Sequence, residues 1–144
     1  MKLILELPVI SHVVKKNNRP VFINKRSGRM FPGKSQKLKL AENGMISTLR
    51  NMYFLWCKEN KQDFSPIKHQ ISCKMTFIMD NYLTKKGEIN RKIPDLSNLY
   101  ELPQDCLQIA GVIENDSLIA SHDGSRRLLG TENKLIIEIE EFKE

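Results

Sequence analysis

Apolar residues recur along this chain at two different spacings, and the spacing changes from stretch to stretch. In residues 67–79, Ile71, Cys73, Met75, Phe77 and Met79 alternate with Ser72, Lys74 and Thr76, the period of a half-buried strand. Over residues 36–60, Leu38, Leu40, Ala41, Met45, Leu49, Met52, Leu55 and Trp56 return every three or four positions. That spacing predicts an amphipathic helix with one apolar stripe, with Ser35 placed to cap it. A second helical pattern runs from Asp95 to Ile109 through Leu96, Leu99, Leu102 and Cys106. Asn98 followed three residues later by Glu101 has the form of a capping box, and Gly111 closes the segment. Pro103 interrupts it. A proline inside a helix costs about 3 kcal/mol, so the helix either starts near Glu101 or kinks.

The remaining stretches read as strands and loops. Residues 2–8 form a first strand. Val21-Phe22-Ile23 and Arg29-Met30-Phe31 flank a loop containing Gly28, the signature of a hairpin. Residues 80–92 are polar and basic and read as an exposed loop. Ser117-Leu118-Ile119-Ala120 is strand-like, Asp123-Gly124 marks a turn, and residues 134–142 alternate as a last strand. The order is strand, hairpin, helix, strand, helix, strand, strand. Helices segregated against a mixed β-sheet define an α+β class. With 144 residues, the expectation is one domain over 1–144.

Composition narrows the choice further. No apolar run approaches the ~20 residues of a membrane span, and the N-terminal stretch is too short and interrupted for a signal peptide. The three cysteines, Cys57, Cys73 and Cys106, are odd in number and lack metal-site spacing. They read as buried reduced thiols in a cytoplasmic protein. His12, His69 and His122 are scattered, unlike clustered zinc ligands. Charge is divided unevenly. Residues 1–93 hold 19 Lys and Arg against 6 Asp and Glu, net +13; residues 94–144 hold 4 against 11, net −7; the sum is +6. A basic front suits a polyanion, and an acidic back suits a cation.

Residues 91–127 carry the most specific pattern. Pro94-Asp95-Leu96-Ser97-Asn98-Leu99, then Asp105, then Gly111-Val112-Ile113-Glu114-Asn115-Asp116-Ser117 resembles the signature of the RusA-type Holliday junction resolvases. Asn17-Asn18 and the segment from Phe31 to Ser35 are similar to the family more loosely. The resemblance implies a RusA-like α+β homodimer that cuts four-way DNA junctions with Mg2+, in DNA recombination and repair. It implies that Asp95 and Asp116 hold the metal and that Asp105 matches the helix aspartate. Arg126 or Arg127 lies near the family's basic strand residue. Three positions depart: Ser97 replaces a second acidic ligand, Glu101 replaces a lysine, and Asn115 replaces the first aspartate of a pair.

Phosphodiester hydrolysis explains the residue types. Negative charge builds on the phosphoryl and leaving oxygens, and a bound metal stabilises it and activates water. If residues 95–109 are helical, Ser97, Glu101 and Asp105 are four apart and share a face. Glu101 then offers the carboxylate that Ser97 lacks. The expected site is therefore Asp95, Asp116, Glu101 and Arg126 for catalysis, with Ser97 and Asp105 beside the metal. The expected phosphate contacts are Lys15, Lys16, Arg19, Lys25, Arg26, Arg29, Lys85, Lys86, Arg91 and Lys92. No membrane and no small-molecule cofactor enter this reading. Two plainer readings stay open. A RusA-like protein that has lost cleavage would bind branched DNA without cutting it, and an RNA-binding protein would need no metal. Taken singly, Asp95 is an ordinary helix-start carboxylate and Asp116 an ordinary turn residue.

Overall fold

In the computed structural model, residues 1–8, 21–23, 26–27, 30–32, 36–93 and 95–144 are described. Alternation along the chain becomes a two-sided sheet. In β1 (Lys2–Pro8), Leu3, Leu5 and Leu7 are buried while their neighbours are exposed. β4 (Ile71–Met79) buries Ile71, Cys73, Met75, Phe77 and Met79 on one face. β7 (Lys134–Glu141) buries Leu135, Ile137 and Ile139. These three strands lie side by side in the order β1, β7, β4, antiparallel throughout, so their apolar faces form one surface.

Two helices cover that surface. α1 (Gln36–Glu59) presents Leu38, Leu49, Tyr53 and Cys57 to the core. α2 (Leu96–Ile109) presents Leu99, Leu102, Cys106 and Leu107. The opposite face of the sheet carries a cross-strand ladder of charges: Lys2 with Glu140 at 3.6 Å, Lys134 with Glu6 at 2.7 Å, and Lys74 with Glu138 at 3.5 Å. A separate two-stranded ribbon pairs β2 (Val21–Ile23) with β3 (Met30–Pro32), the expected hairpin.

The far edge of the sheet is one strand interrupted. β5 (Ile119–Ser121) and β6 (Arg126–Leu129) both run parallel to β4, paired at Ile71–Ile119 and again over Thr76–Arg126 to Met79–Leu129. A parallel pairing requires a crossover, and α2 supplies it. β6 was not among the expected elements, because Arg126-Arg127 breaks the apolar alternation. Of the stretch 117–120 expected to be strand-like, Ile119 and Ala120 are in β5, while Ser117 and Leu118 belong to a single 3-10 turn, Asp116–Leu118, that precedes it.

α2 starts where the helical pattern from Asp95 placed it, not at the later start that Pro103 left open. Asp95, not Asn98, holds the N-cap position, and its side chain makes no cap hydrogen bond. Pro103 lies inside the helix, buried, and the helix begins at Leu96 rather than near Glu101. Its lost N–H is offset by the apolar face it completes, where each buried leucine contributes about 1.5–3 kcal/mol.

The other end of α2 is closed as its sequence requires. Gly111 has φ +80, and its N–H donates to Gln108 O at 3.1 Å while that of Val112 donates to Leu107 O at 3.0 Å. This is the double closure of a Schellman motif. Arg50 of α1 adds two more donors, Nη2 to Ile109 O at 3.2 Å and Nε to Ala110 O at 3.3 Å. A cation at a helix C-terminus also meets the negative end of the dipole. Gly111→Ala is expected to destabilise the fold by about 1 kcal/mol in urea unfolding, since Ala resists positive φ.

The three cysteines are free and buried. Burial pushes the Cys73 thiol from 9.0 up to about 12. Between those two values the unfolded chain loses a proton that the folded chain keeps, so stability falls as pH rises. The expected slope from this thiol is up to about 1.4 kcal/mol per pH unit above pH 9. Urea melts of the protein and of Cys73→Val, compared from pH 8 to 10.5, should diverge in that direction. All three thiols should react with a disulfide reagent only after unfolding.

Candidate functional site

The residues singled out by the sequence are spread along α2 and around its first turn. Asp95 stands at the N-cap, exposed. Ser97 is exposed in the first turn, and Glu101 and Asp105 follow, half-buried, along the same side of the helix. The expected shared face for these three is therefore present. Asp116 is exposed and lies at the far end, where its backbone N–H donates to Gln108 Oε1 at 3.0 Å. Thirteen residues separate Asp95 from Gln108, roughly 20 Å of helix at 1.5 Å per residue.

That length bears on how one chain could hold a metal. Magnesium holds its oxygens at about 2.0–2.1 Å, so two carboxylates sharing it must nearly touch. Asp95 caps the first end of α2, and the backbone of Asp116 is held at its last turn. Among the described residues, no three His, Cys, Asp or Glu side chains are grouped closely enough to hold a metal ion. Asn115, where a first aspartate was sought, instead caps the 3-10 turn, its Oδ1 accepting from Ser117 N at 2.8 Å.

The polar side of α2 is occupied in holding the chain that follows it. The His122 ring stacks on Tyr100 at 4.3 Å, nearly parallel. Its Nδ1–H donates to Cys73 O at 2.9 Å, an oxygen that only accepts. Its Nε2 lies 2.8 Å from the Gln104 side-chain amide. Ser125 Oγ accepts from Met75 N at 2.9 Å. Between β5 and β6, where the ladder to β4 lapses, these two side chains satisfy the β4 backbone. His122 is thus bound into the sheet edge. Sequence reasoning missed it, as it missed Gln104 and Gln108; a polar residue every fourth position, Gln104 to Gln108, was the available signal.

Basic residues gather at the start of α2. The segment after β4 folds back on itself: Thr84 N donates to Glu88 O at 2.7 Å, Gly87 N to Thr84 O at 2.9 Å, and Asn90 N to Tyr82 O at 3.0 Å. The stretch expected to be a plain loop is a small turn with Lys85 and Lys86 exposed at its tip. Arg91 and Lys92 follow, both exposed, and Lys92 N donates to Asn90 Oδ1 at 3.0 Å. The Arg127 guanidinium sits 5.4 Å from the centre of the Tyr82 ring and ties β6 to this turn. Arg126 beside it is exposed.

Lys85, Lys86, Arg91 and Lys92 are therefore carried on the turn that leads into α2, while Arg126, next to Arg127 on β6, takes the opposite face of the sheet. Arg26 is exposed in the turn between β2 and β3. Lys15, Lys16, Arg19, Lys25 and Arg29, and with them Ser35 as a cap, lie outside the described residues.

The tie between β6 and the turn is testable. A cation over an aromatic ring contributes about 0.5–1 kcal/mol near the surface. Tyr82→Leu should lower stability by about that amount and speed tryptic cutting after Lys85 and Lys86 in the native protein, measured by mass spectrometry. Compared with known proteins, the chain matches no family model and no curated protein.

Proposed function

We propose that this protein binds nucleic acid through the basic end at the start of α2, and that its ligand is branched DNA which it holds without cutting. The gathering of Lys85, Lys86, Arg91 and Lys92 carries the reading, because Arg127 over Tyr82 fixes the turn that bears them. Exposed cations on a fixed framework track phosphates, and release of counterions supplies the affinity. Branched DNA as the ligand rests on the resemblance at residues 94–119 to the junction resolvases. Binding without cleavage rests on the placement of Asp95 and Asp116 at the two ends of α2.

Cleavage by a magnesium ion held between Asp95 and Asp116 is the reading that this placement disfavours. The two are separated by a single assay. The purified protein is incubated with a synthetic four-way junction and with a linear duplex of equal length, with and without magnesium. The expected result is a retarded junction band, weaker retention of the duplex, and intact strands on a denaturing gel. Lys85→Ala with Lys86→Ala should weaken binding to both and reduce the slope of log affinity against log salt by about 2. Magnesium-dependent nicks that disappear in Asp116→Asn would establish the nuclease instead. Failure to retain either DNA at low salt would end the nucleic-acid reading.

A further inference from the structure

A second surface lies at the other edge of the sheet, independent of what the basic end binds. β1 terminates the five-stranded sheet, and among the described residues it forms a ladder with β7 alone. The outer side of such a strand presents N–H and C=O groups to any extended chain that can pair with it. On its open face β1 carries, at equal spacing, a cation, an aliphatic side chain and an anion: Lys2, Ile4 and Glu6. Ile4 is 52% exposed, an isolated apolar side chain between charges.

That order is complementary to itself. Turned about a two-fold axis through Ile4, the strand sets Lys2 opposite Glu6, Ile4 opposite Ile4, and Glu6 opposite Lys2. On the helix-covered face it sets Leu3 opposite Leu5 and Leu5 opposite Leu3. We propose that two copies of this chain associate by antiparallel pairing of β1 with β1 about Ile4, which joins two five-stranded sheets into one of ten. An interface of this kind is isologous, using the same residues from both sides.

Other registers fail on the same residues. A slip of one position would oppose the buried leucines to the open-face residues and turn one helical layer to the other side of the joined sheet. A slip of two positions in one direction puts Lys2 opposite Ile4 and leaves both without a match. A slip of two in the other direction puts Glu6 opposite Ile4 and brings Pro8, which has no N–H, opposite Lys2. Only pairing about Ile4 matches charge with charge and apolar with apolar while leaving Pro8 outside. Lysine and proline commonly protect an edge strand from pairing. Here the lysine has its counter-charge four residues on, within the same strand.

The internal ion pairs do not compete with the seam. Glu6 Oε1 lies 2.7 Å from Lys134 Nζ, and Lys2 Nζ lies 3.6 Å from Glu140. A carboxylate accepts several donors and an ammonium gives three. The second copy's Lys2 therefore extends the Lys134–Glu6 pair into a network across the two-fold.

Cysteine placement tests the register directly. In the proposed pairing the two residue-4 Cβ atoms lie about 4.5–5.5 Å apart, close enough to approach disulfide geometry. The two residue-2 positions lie roughly 13 Å apart along the strands. The native thiols are buried. Under mild oxidation Ile4→Cys should give a reducible species of twice the mass, and Lys2→Cys should not. In sedimentation, the unaltered protein should be a dimer at micromolar concentration. Ile4→Lys, which sets two ammonium groups face to face on an exposed position, should raise the dimer dissociation constant at least tenfold with unchanged circular dichroism. A monomeric parent protein, equal cross-linking of the two cysteine variants, or a dimer indifferent to Ile4→Lys would each overturn the proposal.

Discussion

The backbone of β4 sets the terms for everything around it. This strand is buried on its helix-facing side and flanked on both edges, so every N–H and C=O along it must find a partner within the protein. β7 supplies one edge without a break from Ile71 to Ile78. The other edge is supplied in pieces: β5 first, then His122 and Ser125 by side chain, then β6. An orphaned buried carbonyl costs about 1–3 kcal/mol, so the lapse between β5 and β6 is possible only because those side chains stand there. His122 in turn needs Tyr100 and Gln104 of α2 to hold its ring. The position of α2 and the hydrogen bonding of β4 are thus one problem with one solution.

The same chain of dependence explains what the sequence displayed and what it concealed. Strong periodicity marks elements that bury one face, so β1, β4, β7 and both helices were legible from Leu3, Leu5 and Leu7, from Ile71 to Met79, and from the stripe through Leu99 and Cys106. β6 was not legible. It is a short edge whose first residues are Arg126 and Arg127, and it is strand only because Thr76 to Met79 of β4 offers a ladder. Propensity gave way to pairing there. The cap of α2 was misread for a related reason: Asn98 and Glu101 have cap chemistry, but the apolar face demands that Leu96 and Leu99 already be helical. Pro103 is tolerated because packing outweighs one lost hydrogen bond.

Charge was legible as a total and not as a place. The excess of Lys and Arg before residue 94 is plain in the sequence, yet nothing in it says that the turn bearing Lys85 and the strand bearing Arg127, 42 positions apart, come together. Their meeting depends on Arg127 crossing to Tyr82 and on Gly130 N donating to Met79 O at 3.1 Å, which brings the end of β6 level with the end of β4. Neither contact has a local signature. Both follow from β4 and β6 running parallel, which α2 as a crossover makes possible.

The acidic residues show the converse. Asp95, Ser97, Glu101, Asp105 and Asp116 form a regular series in the sequence, and a series invites the idea of a cluster. A helix converts regular spacing into a row, with residues four apart about 6 Å apart along the axis. Ser97, Glu101 and Asp105 keep that row. The tight closure at Gly111 then turns the chain back beside the last turn of α2, where Gln108 fixes Asp116. For a carboxylate after Gly111 to reach one before Leu96, the chain would have to travel the length of the helix first. It does so, but only by His122 and Arg127, and what arrives beside the turn that leads into α2 is basic. The turn that leads into α2 is thereby furnished with cations, and the proposed binding of a polyanion rests on that arrangement.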